Sequence, residues 1–197
     1  MFDETGALLL DVGPHVISES PGFAQSIGAI AASWAQTEVN LNCLFAVLLD
    51  TTPEEAANEL KKHRSAAKTT HWARKRATEI LKGEELLSLI ETLDRLDEVR
   101  LRRNRVQHDV WSRKANDVRR IFAIHSDEYL ALTTELVASS EDTNLAISVA
   151  KTFAEKISDG FSIEDLEAIS TEIHSVSHSL LCAMFRRIVM RLAARSD

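Results

Sequence analysis

Between Arg100 and His108 the chain reads Arg-Leu-Arg-Arg-Asn-Arg-Val-Gln-His, and three of these residues form a chemical set. The guanidinium of Arg103 is permanently charged, the carboxamide of Asn104 can hold a ring in place, and imidazoles such as His108 titrate near neutrality. A proton carrier, a positioning amide and a fixed positive charge suffice for phosphodiester chemistry. Spacing decides how they meet. Asn104 and His108 stand at i and i+4, on one face of a helix, so the amide is expected to orient the imidazole. Arg100 falls on that face one turn earlier. Arg103 is offset around the helix, but its side chain is long enough to reach a phosphate bound there. Arg105 and Asp109 flank the set as supporting candidates, although Asp109 and His108, being adjacent, point apart on a helix. The same residues also admit a structural reading. Asp94, Asp97 and Glu98 lie at pairing distance in sequence from the arginines, and a histidine near a helix end can serve the terminal carbonyls.

The elements that must position this set are mostly helical. Among 197 residues there are only 6 glycines and 3 prolines, few breakers for so long a chain. Residues 1–21 read as an irregular lead-in, with Gly13-Pro14 and Ser20-Pro21 as turn signals. Apolar residues then recur at Ile27, Ile30, Trp34, Leu41, Phe45 and Leu48, the spacing of a helix packed along its whole length. Glu38 continues this stripe, and a carboxylate there needs a partner; Arg103 or Arg100 is expected to supply it. Thr52-Pro53-Glu54-Glu55 starts a second helix, and a third is expected from Ser65 to Lys82, stopping at Gly83. A further helix carries Leu86, Leu89, Ile90, Leu93, Leu96 and Val99 into the motif. Beyond Trp111, two apolar segments at 118–124 and 128–134 flank His125-Ser126-Asp127 and suggest a short β-hairpin. A helix is expected from Asp142 to Ile157. Ser162-Ile163-Glu164-Asp165 then opens the last one, with its stripe from Ile163 to Met184 and Arg186, Arg187, Arg191 and Arg195 near its end. The expected fold class is all-α: a single-domain antiparallel helical bundle with a short β-hairpin insertion near residues 118–134.

The Arg-Asn-x-x-x-His spacing at Arg103, Asn104 and His108 resembles the motif of HEPN-domain proteins, many of which are metal-independent ribonucleases. The resemblance extends to the order of elements: a long first helix, the motif near the end of a central helix, and a long C-terminal helix. It implies a HEPN-like bundle and cleavage of RNA through its own 2′-hydroxyl. In that role His108 moves the proton, Arg103 stabilises charge on the phosphate and Asn104 holds the ring. It implies no cofactor or metal, and a homodimer in which two copies of the motif form one cleft. A toxin or phage-defence role, with an antitoxin or regulatory protein as partner, follows from the same resemblance. In a subgroup of HEPN toxins a tyrosine two residues after the histidine receives nucleotide groups. Here that position is Val110 and the single tyrosine is Tyr129, so that control is not expected. Many relatives carry glycine where this chain has Asp109. The alternatives are a non-catalytic HEPN-like module that binds RNA, a nucleotide or a protein, and a helical interaction protein in which the motif is accidental.

Charge is unevenly spread. The net formal charge is −7, yet residues 61–120 hold 17 Lys and Arg against 9 Asp and Glu. That is either an electrostatic footprint for a polyanion such as RNA, or the solvated faces of helices balanced by acidic neighbours in space. The start Met1-Phe2-Asp3-Glu4 lacks the basic residues of a secretory signal. Gln36, Glu38, Asn40 and Asn42 interrupt the most apolar stretch, Ile27–Leu49, so no membrane span and a cytoplasmic location are expected. Cys43 and Cys182 read as small buried hydrophobes, with a disulfide as the alternative. His174 and His178, at i and i+4, have a zinc-compatible spacing but lack evident further ligands beyond Glu172, and no metal site is expected. Trp72, beside His71 in a basic stretch, could stack on a base; core packing is the expected role for it and for Trp111.

Overall fold

The computed structural model describes residues 1–63 and 65–193; Arg195 lies outside them. Among the described residues the order of elements is β1 (Leu10–Val12), α1 (His15–Ser18), α2 (Pro21–Leu49), α3 (Pro53–Lys61), α4 (Ala66–Ile80), α5 (Gly83–His108), β2 (Val110–Lys114), β3 (Asp117–Ile124), α6 (Ser126–Ala138), α7 (Thr143–Lys156), β4 (Gly160–Phe161) and α8 (Ile163–Ala193). The protein is therefore mostly helical, with one small antiparallel sheet.

Local chemistry explains the helix starts. The Thr52 hydroxyl accepts a bond from the Glu55 amide at 3.2 Å while the Glu55 carboxylate accepts from the Thr52 amide at 3.1 Å. Ser162 and Asp165 repeat this reciprocal arrangement at the head of α8, at 3.2 and 2.9 Å. Ser65 caps α4, and Asp142 caps α7. Each side chain satisfies amides that the first helical turn leaves without partners.

The chain divides into two compact units, one formed by residues 1–29 and 103–168 and the other by residues 30–102 and 169–197. In the second unit the anticipated stripes are the core. Ile30, Trp34, Phe45 and Leu48 of α2, Leu89, Leu93, Leu96 and Val99 of α5, and Ile169, Ile173, Val176 and Leu180 of α8 are all buried. Polar ties fix the helices in register. The Asn40 amide donates to the Ser177 hydroxyl at 2.9 Å in a buried position, joining α2 to α8. Arg95 of α5 reaches Glu172 and Ser175 of α8, each at 2.8 Å.

The first unit holds the sheet, in the order β1-β2-β3-β4. Two expectations are corrected here. The hairpin is β2–β3, with Val110 opposite Ile124 and Lys114 opposite Asp117, and not a pairing of 118–124 with 128–134. Residues 128–134 instead belong to α6, where Leu132 is buried one turn after the half-buried Tyr129. That three-residue spacing is helical, and the acidic pair Asp127-Glu128 suits a helix N-terminus. The supposed irregular lead-in is also structured: Leu10–Val12 pairs with Ser112–Lys114 as an added strand, and Leu10 is fully buried. In β3 the run Ile121-Phe122-Ala123-Ile124 is buried at every position, as for a strand covered on both faces. Gly160 of β4 lies so close to this strand that a Cβ would come within 2.8 Å of the Phe122 ring.

Candidate active site

Arg103, Asn104 and His108 occupy the last turns of α5 and belong to the first unit. Arg103 and Asn104 are half-buried, and the Arg103 guanidinium donates to the Asn104 side-chain oxygen at 3.1 Å. His108 is exposed, and its backbone carbonyl accepts a bond from the Ser126 hydroxyl at 3.2 Å. The bond of the Asn104 side chain thus runs to the guanidinium, not to the imidazole as the i, i+4 spacing suggested. The motif is assembled as an Arg–Asn pair beside an accessible imidazole.

Arg105 anchors the neighbouring structure. Its Nε pairs with Asp109, its Nη1 donates to Asp159 at 2.9 Å and its Nη2 donates to the Ala123 carbonyl at 3.2 Å. Burial works against the Arg105 charge, but the bonds it donates to Asp109 and Asp159 outweigh it and hold the guanidinium above its ordinary pKa. Arg105 is therefore a clamp between the helix end and the sheet, already committed to protein partners. Asp109, whose side chain is only 5% exposed, has its other oxygen 3.4 Å from Nδ1 of His125. The carboxylate thus faces His125 and Arg105. His125 is the functional candidate that the sequence did not disclose. Its side chain is 56% exposed, and it precedes α6 without serving as a side-chain cap. Only the register of β2 and β3 reveals the pairing: Val110 opposite Ile124 brings residues 109 and 125 together at the end of the ladder.

Glu38 and Arg100 belong to the second unit. Glu38 is exposed, and Arg100 pairs through its Nε with Asp97 at 3.3 Å, so the expected Glu38–Arg100 ion pair is not found. On a helix face, a carboxylate can sit at the edge of an apolar stripe and keep its head in water. Both side chains line one cavity of about 390 Å³, together with Trp34 and Lys61. Its lining mixes apolar walls with both signs of charge.

Several arginines of the basic stretch are paired within the units. Arg74 pairs with Asp94 and Asp97, Arg76 with Glu79, Arg95 with Glu172, and Arg113 with Asp11 and Glu19. Arg119 and Arg120 of β3 are exposed, in the same unit as the motif. Trp72 packs against Phe45 and His63 at ring separations of 5.4 and 5.3 Å, and Trp111 meets Phe161 edge-on at 5.9 Å. His174 and His178 are exposed, and His178 Nε2 lies 3.4 Å from the Cys182 sulfur. Cys182 is exposed and Cys43 half-buried; both are free thiols, so neither is the fully buried hydrophobe expected and no disulfide joins them. Among the described residues no helix is long and apolar enough to cross a membrane.

No family model, curated protein or solved structure matches this chain.

Proposed function

We propose that the chain is a metal-independent endoribonuclease that cleaves RNA by attack of the ribose 2′-hydroxyl on the adjacent phosphate. The observation that carries this reading is the accessible imidazole of His108 at the end of α5, in the same unit as the bonded Arg103–Asn104 pair. His108 accepts the proton of the attacking hydroxyl. Arg103, held by Asn104 in a half-buried setting, stabilises the charge that builds on the phosphate oxygens, where a partly desolvated cation is worth more than in water. Arg119 and Arg120 add positive charge for the backbone of a bound strand. RNA brings its own nucleophile, so the site needs only proton transfer and charge. In the HEPN proteins that the motif resembles, two copies form one composite cleft, and a homodimer is part of this reading. A role as a toxin or phage-defence effector, held in check by an antitoxin or regulatory protein, extends it by the same resemblance.

The test is a pair of oligonucleotides that differ at one sugar. An RNA with a single preferred cleavage position is cut by the wild type, and the same strand carrying a 2′-deoxyribose at that position is bound but not cut there. Equal cleavage of both would show that the 2′-hydroxyl is not the nucleophile and would remove the reading. Salt-sensitive RNA binding with no cleavage would instead favour a non-catalytic RNA-binding module.

A further inference from the structure

Cleavage through a 2′-hydroxyl moves two protons. The bond from O2′ to phosphorus forms as O2′ loses its proton, and the bond from phosphorus to O5′ breaks as O5′ gains one. A single imidazole cannot accept and donate at the same moment, so the reaction is faster where a second proton carrier stands beside the first. Within the motif His108 is the one side chain built to accept and donate a proton; the guanidinium and the amide are not.

The structure supplies a second imidazole. His125 Nδ1 lies 3.4 Å from the carboxylate of Asp109, and that carboxylate is nearly buried while the ring is half in solvent. The carboxylate is itself held from behind by Arg105, which is fixed by Asp159 and by the Ala123 carbonyl. A buried, braced carboxylate beside Nδ1 favours a proton on that nitrogen and a ring orientation that turns Nε2 away from it. Ser126, the residue after His125, donates from its hydroxyl to the His108 carbonyl at 3.2 Å, so His108, just before β2, and His125, just after β3, flank the same end of that strand pair.

We infer that His125, oriented by Asp109, is the proton donor to the departing 5′-oxygen while His108 takes the proton from the 2′-hydroxyl. The inference rests on the ribonuclease reading. The products are a 2′,3′-cyclic phosphate and a 5′-hydroxyl; His108 ends protonated, His125 ends neutral, and exchange with water restores both. Asp109 is a positioning residue that acts through His125.

Leaving-group dependence tests the assignment. The expected result is that His125→Ala slows cleavage of an RNA dinucleotide by about 10²–10⁴-fold. The same variant cleaves uridine 3′-(4-nitrophenyl phosphate) at nearly the wild-type rate, because nitrophenolate leaves without a proton. His108→Ala slows both substrates. Asp109→Asn shows a smaller loss of the first kind, and long-range proton–nitrogen spectra of the intact chain show the His125 Nδ1–H tautomer in the wild type and its loss in this variant. Equal loss on both substrates in His125→Ala would mark a structural role and overturn the inference. So would undiminished RNA cleavage by His125→Ala beside an inactive His108→Ala, a result that leaves the ribonuclease reading standing. A wild type that cleaves neither substrate would remove that reading and the inference with it.

Discussion

The carboxylate of Asp109 faces His125, with 3.4 Å between Oδ1 and Nδ1, and its other oxygen is held by Arg105. This relationship joins the end of the motif helix to the strand that returns beside it. It also separates two roles that lie only two residues apart on one helix. Arg105 spends its charge on Asp109 and Asp159, whereas Arg103 is bonded to Asn104 beside the exposed His108.

Removing that carboxylate costs stability. Asp109→Ala leaves Arg105 with Asp159 and the Ala123 carbonyl but without its buried carboxylate partner, so we expect a loss of about 1–3 kcal/mol. The midpoint of urea unfolding should fall with an unchanged slope. An unchanged midpoint would mean that the clamp contributes nothing to the fold.

The first dozen residues are part of the fold. Leu10 is fully buried against Ile124 and Ala154, and Leu10→Ala should destabilise by about 2–5 kcal/mol. Leu130, exposed on α6, serves as the comparison: its replacement by alanine should change stability by about 0.5 kcal/mol or less. Chemical unfolding of the two variants measures the difference.

Gly160 is required by a close approach. A methyl group there meets the Phe122 ring at 2.8 Å and the Arg120 side chain at 3.2 Å. Phe122 is packed in β3 and cannot swing clear, so Gly160→Ala should cost about 1–3 kcal/mol, again read from the unfolding midpoint.

Acid should loosen the first unit through Asp11. A bond from His15, and then one from Arg113, hold the Asp11 carboxyl below its ordinary value of 3.8, against the opposing effect of burial. A depressed carboxyl stabilises the fold above its unfolded pKa of about 3.9, and that contribution disappears as pH falls through the lower folded value. Asp11→Asn should therefore be less stable than the wild type at pH 6, and the gap should close on acidification below pH 4. A gap independent of pH would show that the carboxylate charge is not what matters.

How far the sequence disclosed this molecule depends on the kind of signal. The three long helices carry apolar stripes at three-and-four spacing, and α8 opens on a reciprocal Ser162–Asp165 cap, so α2, α5 and α8 were legible almost to their ends. The sheet was not. Its turn at Ala115-Asn116 has no glycine, Ser112 is buried despite its hydroxyl because it bonds to the Phe122 carbonyl, and β1 is three residues long. Without that sheet the segment after Asp127 looked like a strand, since Thr133-Thr134 masked the helical spacing of Tyr129, Leu132 and Leu136. The site follows the same division. Arg103, Asn104 and His108 stand close in sequence and were found from spacing alone. His125 becomes visible only through strand register, a non-local fact. The bond from Arg103 to Asn104 displaced the expected Asn104–His108 contact because a guanidinium one residue away offers a stronger donor than an imidazole one turn on.

The most direct test of the central claim is cleavage of a mixed-sequence RNA in the presence of EDTA by the wild type and by His108→Ala. The wild type should cleave the RNA and leave 2′,3′-cyclic phosphate ends, and the variant should be slower by about 10²–10⁴-fold. His108 is exposed, so the variant should remain folded, which its unfolding midpoint verifies. Equal cleavage by both proteins, or none by either, would contradict the claim that this imidazole drives metal-independent RNA cleavage.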